Sequence, residues 1–206
     1  MKKKILLASI IALSLALLVA VGGTIAYLFT DTQDVVNTFT YGDINITLQE
    51  EASDIDDGDN NANTNEYKMI PDSDLTKKPS VTVLADSEAC WLFIKVTKSA
   101  NFDEFLEYTI AGGWTELQTV NNDTIYYREV PAETAKSGVV YEILLGNKVH
   151  VKNTVTKVML NELDITGSEG YPKLSFHAYA VQHENVDTAT EAWAIAQNNG
   201  LPTTTP

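Results

Sequence analysis

The sequence is poor in most of what builds a chemical site. Cys90 is the only cysteine in 206 residues, so no intramolecular disulfide and no paired-cysteine site can form. It sits in the apolar run Ala89-Cys90-Trp91-Leu92-Phe93-Ile94 and reads as a small buried hydrophobe. A catalytic thiol needs a neighbouring base, and the sequence supplies none there. Histidines number three, His150, His177 and His183. His183-Glu184 opens like a zinc-protease helix, but the second histidine of that motif falls on Asp187, so the match fails. His177 alternates with Tyr179 and reads as a sheet histidine. There is no Gly-x-Ser-x-Gly elbow and no phosphate loop. Carboxylates are abundant, but abundance nominates no catalytic pair. No catalytic residue, cofactor or metal ligand is therefore expected, and the chain does not read as an enzyme.

Positive charge is scarce as well. The chain holds 14 basic and 28 acidic residues. Without Lys2, Lys3 and Lys4 the balance is 11 against 28, a formal charge of −17. Such a surface repels nucleic acid and anionic lipid and suits solubility outside the cell. Salt or cations that screen it would matter for self-association. No repeat of fixed period is visible.

Those three lysines open the one long apolar run. Residues 5–21 carry no charge, Gly22-Gly23 breaks the helix, and Thr24-Ile25-Ala26 places small side chains at the two positions that a signal peptidase reads. Together they predict a cleavable secretory signal peptide over residues 1–26, with the cut between Ala26 and Tyr27. The alternative is an uncleaved anchor, which requires the run to extend through Ile25, Tyr27, Leu28 and Phe29 to reach about 20 residues. Beyond Ala26 the remaining 180 residues suffice for one domain with a core.

Within that domain, residues 38–48 predict a strand region broken at Gly42, with Ile44, Ile46 and Leu48 on one face. The tract 50–66 is rich in Asp and Asn and reads as a flexible acidic loop. Its Asp54-Ile55-Asp56-Asp57-Gly58-Asp59 looks like a calcium loop, but Gly58 stands fifth where the EF-hand needs glycine sixth. Residues 67–79 predict a loop, 81–84 a short strand, and 90–97 a strand buried on both faces. Asn101 with Glu104 has the spacing of a capping box for a short helix that turns Phe102, Phe105 and Leu106 one way. Further strands are expected at 124–130, stopped by Pro131, and at 139–145. After a turn at Gly146-Asn147, residues 148–151 are expected to continue that pairing. A short helix carries Val155, Val158, Met159 and Leu163. A strand follows at 173–182, and Thr188 with Glu191 opens a final helix with Ala192, Trp193 and Ile195. The tail 199–206 is polar and expected to be disordered. Its Leu201-Pro202-Thr203-Thr204 resembles the start of a sortase signal, but Thr205 replaces the glycine and no apolar tail follows. Trp91, Trp114 and Trp193 are candidates for a sugar-stacking platform, although aromatics in a sheet protein are more often core. About seven strands with short helices predict a mainly β protein, an antiparallel β-sandwich preceded by a signal-peptide helix.

Gly22-Gly23-Thr24-Ile25-Ala26-Tyr27-Leu28-Phe29-Thr30-Asp31, then Asn37-Thr38-Phe39-Thr40-Tyr41-Gly42-Asp43-Ile44-Asn45-Ile46-Thr47-Leu48, resembles the TasA/camelysin family. Tyr67-Lys68-Met69-Ile70-Pro71 and the strand from Cys90 to Val96 look like that family's domain. The resemblance implies a Gram-positive exported protein cut by a SipW-type signal peptidase. It also implies a jelly-roll sandwich with added short helices, and a subunit of biofilm-matrix fibres whose partners are its own copies and other matrix components. Camelysin-like members have been described as metalloproteases, and the zinc motif that activity needs is missing here. The acidic loop and the terminal tail depart from TasA.

An extended segment at 27–41, directly behind the cut, is placed to add itself to a neighbour's sheet edge. Its side chains for self-assembly would be Val35, Phe39 and Tyr41. Head-to-tail addition does not close, so it makes filaments. The alternative is that the segment forms the first strand of its own sheet. A secreted structural protein is thus the expected function. An exported cell-surface binding module or adhesin for carbohydrate or host protein comes second, and an exported hydrolase third.

Overall fold

The computed structural model describes residues 29–31, 44–50, 67–166 and 170–198. The expected signal segment, most of 27–41, the acidic tract 51–66 and the tail 199–206 lie outside the described residues, as does the calcium-like stretch.

The described chain is mainly β, with antiparallel sheets and a few short helices. In order the elements are β1 (Phe29–Asp31), β2 (Ile46–Glu50), β3 (Ser73–Thr76), β4 (Pro79–Val83), β5 (Cys90–Lys98), α1 (Phe102–Phe105), β6 (Leu106–Glu107), β7 (Thr115–Val120) and β8 (Asp123–Val130). Then come α2 (Ala132–Ser137), β9 (Val139–Glu142), a 3-10 turn (Leu145–Asn147), β10 (Lys148–Val151), α3 (Lys157–Thr166), β11 (Leu174–Gln182) and α4 (Ala189–Asn198). A five-stranded sheet runs β1-β11-β5-β8-β7. Two three-stranded sheets run β2-β4-β9 and β3-β10-β6.

β5 is the spine. It pairs with β11 from Cys90↔Gln182 to Lys98↔Leu174 and with β8 from Cys90↔Val130 to Thr97↔Asp123. Strand side chains alternate between faces, and both faces of β5 find cover. Cys90, Leu92, Ile94 and Val96 join a core with Val81 and Val83 of β4, Ile44 and Ile46, and Val149 and Val151 of β10. Trp91 and Phe93 face the other way, onto Tyr179, Val181 and the apolar stripe Ala189, Ala192, Trp193 and Ala196 of α4. That stripe recurs at helical spacing. The Thr188 hydroxyl accepts the Glu191 N–H at 3.2 Å, the cap that the sequence predicts.

Several expectations need correction. Residues 67–79 are not one loop, because β3 lies inside them and Pro79 begins β4. Glu50 belongs to β2 rather than to the acidic tract. Asn101 does not cap α1 through its side chain; its carboxamide donates to the Gly170 carbonyl at 2.8 Å and accepts from the Ser99 hydroxyl. Tertiary partners thus outcompete the local cap. Leu106 belongs to β6 rather than to the helix. β10 does not continue the pairing of β9; it ladders to β3 and β6, while β9 ladders to β4. Val158 on α3 is 64% exposed instead of packed. The sequence reading also passed over β7 and α2.

Candidate functional site: the β1–β11 edge

Of the segment 27–41, the described residues 29–31 form β1 at the outer edge of the five-stranded sheet. They pair with β11 of the same chain as Phe29↔Val181, Thr30↔Ala180 and Asp31↔Tyr179, so for these three residues the structure has the alternative arrangement, a strand of the chain's own sheet. β11 is held from its other side along its whole length by β5, and Ala178, Ala180 and Val181 are fully buried. The edge is therefore a rigid template with a short strand laid along it. A strand added at such an edge gains main-chain hydrogen bonds from the ladder and specificity from alternate side chains. The predicted cleavage residues Thr24, Ala26 and Tyr27, and the predicted assembly residues Val35, Phe39 and Tyr41, lie outside the described residues.

The candidate chemical residues are scattered. His150, on β10, has Nδ1 2.9 Å from Asp74 and Nε2 3.7 Å from Asp72. Hydrogen bonds from Lys148 and then His150 hold the Asp74 carboxyl below its ordinary range. His183 stacks on Trp91, 5.0 Å between ring centres, with Nε2 3.3 Å from Glu129. His177 stacks on Tyr179 at 4.7 Å. Among the described residues no group of three or more His, Cys, Asp or Glu is arranged to hold a metal ion. Cys90 is fully buried, and burial pushes its thiol up to about 12, so it stays protonated at neutral pH. The three tryptophans form no common platform. Trp91 and Trp193 are core, while Trp114 packs elsewhere, edge-on to Tyr141.

An open depression of about 420 Å³ is lined by Asp86, Ser87, Glu88, Lys136 and Glu184, among others. Its one hydroxyl, on Ser87, donates to the Leu84 carbonyl at 2.7 Å. Sequence reading missed a stronger polar feature, a clasp of Glu50, Lys77 and Tyr67. Both Glu50 oxygens accept from the Lys77 ammonium, at 2.7 and 2.8 Å, and the Tyr67 hydroxyl donates to the same carboxylate at 2.8 Å. The ammonium also lies over the Tyr67 and Phe176 rings. Burial and the adjacent Glu50 carboxylate push the Tyr67 hydroxyl far above its ordinary range. Glu50 and Tyr67 flank the acidic tract, so the clasp joins the chain on its two sides.

Among the described residues no helix is long and apolar enough to cross a membrane. Compared with family models, curated proteins and solved structures, the chain matches none.

Proposed function

We propose that this chain is a secreted structural protein of the TasA/camelysin kind, a subunit of extracellular matrix fibres that grow by strand addition at the β11 edge. The observation that carries the reading is the position of β1. The residues directly behind the expected signal-peptide cut are the ones that pair with β11, here within their own chain. A neighbour's residues 29–31 would use the same register in trans, and Phe39 and Tyr41 would extend the contact. The attached signal peptide would hold the strand back until export and cleavage.

The finer fold in this reading is a jelly-roll sandwich. The order β1-β11-β5-β8 in one sheet and β3-β10-β6 in another supports it, since a jelly roll seats its last strand beside its first. The shared core of β5, β4 and β10 side chains supports two layers packed face to face. The formal charge of −17 beyond the n-region implies that copies approach one another better when salt screens them.

A paired cysteine substitution tests the reading. Thr30→Cys with Ala180→Cys places thiols at facing register positions of an antiparallel pair, within disulfide reach. Native Cys90 is buried and does not compete. Oxidation of the secreted protein should give a ladder of covalent multimers, with filaments in electron micrographs. A purely intramolecular disulfide without filaments would sink the proposal. Phe39→Ala should weaken each junction by about tenfold or more, shortening filaments while the thermal midpoint stays.

A further inference from the structure

Every open sheet carries two edges, and an unguarded edge invites unwanted pairing. Away from β1, the outer strand of the five-stranded sheet is β7, and β9 is, with β2, one of the two outer strands of the β2-β4-β9 sheet. β9 presents Val140, 61% exposed. One cluster links β9 to β8 and to Trp114, the residue just ahead of β7. The Arg128 guanidinium of β8 lies 3.9 Å from the Tyr141 ring centre and 4.8 Å from that of Trp114. The Trp114 indole N–H donates to the Glu142 carbonyl at 2.9 Å, taking up a main-chain acceptor of an edge strand. Arg128 also donates to the Gly112 carbonyl at 3.3 Å. Gly113 has φ +85°, a left-handed conformation that glycine adopts without strain, and a Cβ there would stand 1.9 Å from Arg128 Nη2, so a side chain would displace the guanidinium. Just beyond, Leu145 N–H donates to Thr109 O and Ala111 N–H to Ile143 O. The chain from 109 to 114 therefore runs along the outside of 142–145. β7 itself is interrupted by an irregularity between Glu116 and Gln118, a device that spoils an edge for pairing.

We propose that Trp114, Arg128 and Tyr141 form an edge guard: a cation lying against two rings that meet edge-on, which closes the β7–β9 flank against strands of other copies. The inference stands beside the fibre reading and not on it, because the guard opposes lateral pairing whether or not the protein makes filaments. Lysine does not replace the arginine, since the planar guanidinium can lie against both rings while donating to the Gly112 carbonyl, and a compact ammonium cannot stack in that way.

The test compares the secreted protein with Arg128→Ala, Arg128→Lys and Trp114→Phe, using light scattering against concentration, thermal melting and hydrogen exchange. With the guard lost, lateral association should set in at up to about tenfold lower concentration, the factor that a half-buried cation–π contact represents. New exchange protection should appear on β9 and β7, and Arg128→Lys should behave like Arg128→Ala. Trp114→Phe keeps a ring under the guanidinium but frees the Glu142 carbonyl, so it should shift the onset less, in the same direction. If Arg128→Ala does not fold, Trp114→Phe and Arg128→Lys decide. Folded variants that associate as the unsubstituted protein does, or that gain protection only at β1 and β11, overturn the guard. Failure of the fibre reading shows separately, as a lack of filaments in the unsubstituted protein.

Discussion

The two faces of the five-stranded sheet are built from different materials. Toward the other sheets it presents Cys90, Leu92, Ile94, Val96, Ala178 and Ala180, small and aliphatic groups that interlock with strands on the far side. Toward α4 it presents Trp91, Phe93, Tyr179 and Val181, large rings covered by one short helix whose contact stripe is mostly alanine. Interlocked strands cannot leave without unfolding the sheets, whereas a single helix can detach by itself. The aliphatic face should therefore set global stability, and the aromatic face should be the site of local opening.

The strongest blow to that contrast is a cavity on the aliphatic face. Ile94 is fully buried opposite Ala178 and Tyr126. Ile94→Ala should cost about 2–5 kcal/mol and lower the denaturant midpoint of the whole domain. Trp193→Ala on the other face should mainly raise hydrogen exchange in α4 and leave β5 protected. Equal loss of protection on β5 in both variants would erase the distinction.

Alkali offers a second way to separate the faces. Burial raises the Cys90 thiol from 9.0 to about 12. Burial first, then neighbouring charge, raises Tyr108 and Tyr126 above 10.0, and burial raises Tyr141 against the opposing pull of Arg128. All four groups belong to or pack against the aliphatic core. Each folded pKa lies above its unfolded value and the neutral form is the buried one. As pH climbs past 9 the unfolded chain loses protons that the folded chain keeps, so stability falls. The fully buried Cys90 contributes a slope of about 1.4 kcal/mol per pH unit until its folded pKa is reached, and the half-exposed tyrosines add a smaller loss in the same direction above pH 10. Denaturant titrations from pH 8 to 11 should show a midpoint flat up to about 9 and declining beyond it. A midpoint that stays flat to pH 11 would contradict the burial of these groups.

Much of this was legible because it is written in local patterns. The continuous apolar run 90–97 and the alternation at Ile44, Ile46 and Leu48 name their strands, and Thr188 with Glu191 names the start of α4. What was missed lacks such a signal. β7 is exposed nearly throughout, so no alternation betrays it, and β3 pairs through polar residues such as Ser73 and Asp74. The Asn101 box has the right spacing but spends its carboxamide on Gly170, 69 residues away. The sequence pointed to the segment behind the cut as the assembly element. It gave no hint of the register with β11, which is fixed by residues about 150 positions away. Nor did it suggest the clasp or the guard, since Lys77 and Arg128 look like ordinary surface charges until the fold brings Glu50, Trp114 and Tyr141 beside them.

The smallest expected effect separates the two tryptophans of the aromatic face. Trp91 donates its indole N–H to the Val186 carbonyl at 2.9 Å, anchoring the turn that leads into α4. The Trp193 indole N–H is buried without a partner, though its ring packs on Phe93 and Tyr179. Phenylalanine at either position removes similar ring area. At 91 it also strands a buried carbonyl, while at 193 it removes a polar group that gained nothing from burial. An unmet buried polar group costs about 1–3 kcal/mol, so Trp91→Phe should be the more destabilising by about 1 kcal/mol or more. Trp193→Phe should cost little, because relief of the unmet N–H offsets the lost contacts. Chemical denaturation of both variants reads the difference, and exchange in α4 locates it. A larger loss in Trp193→Phe than in Trp91→Phe would mean that the Trp193 N–H has a partner after all, and that α4 is held more firmly than its alanine stripe suggests.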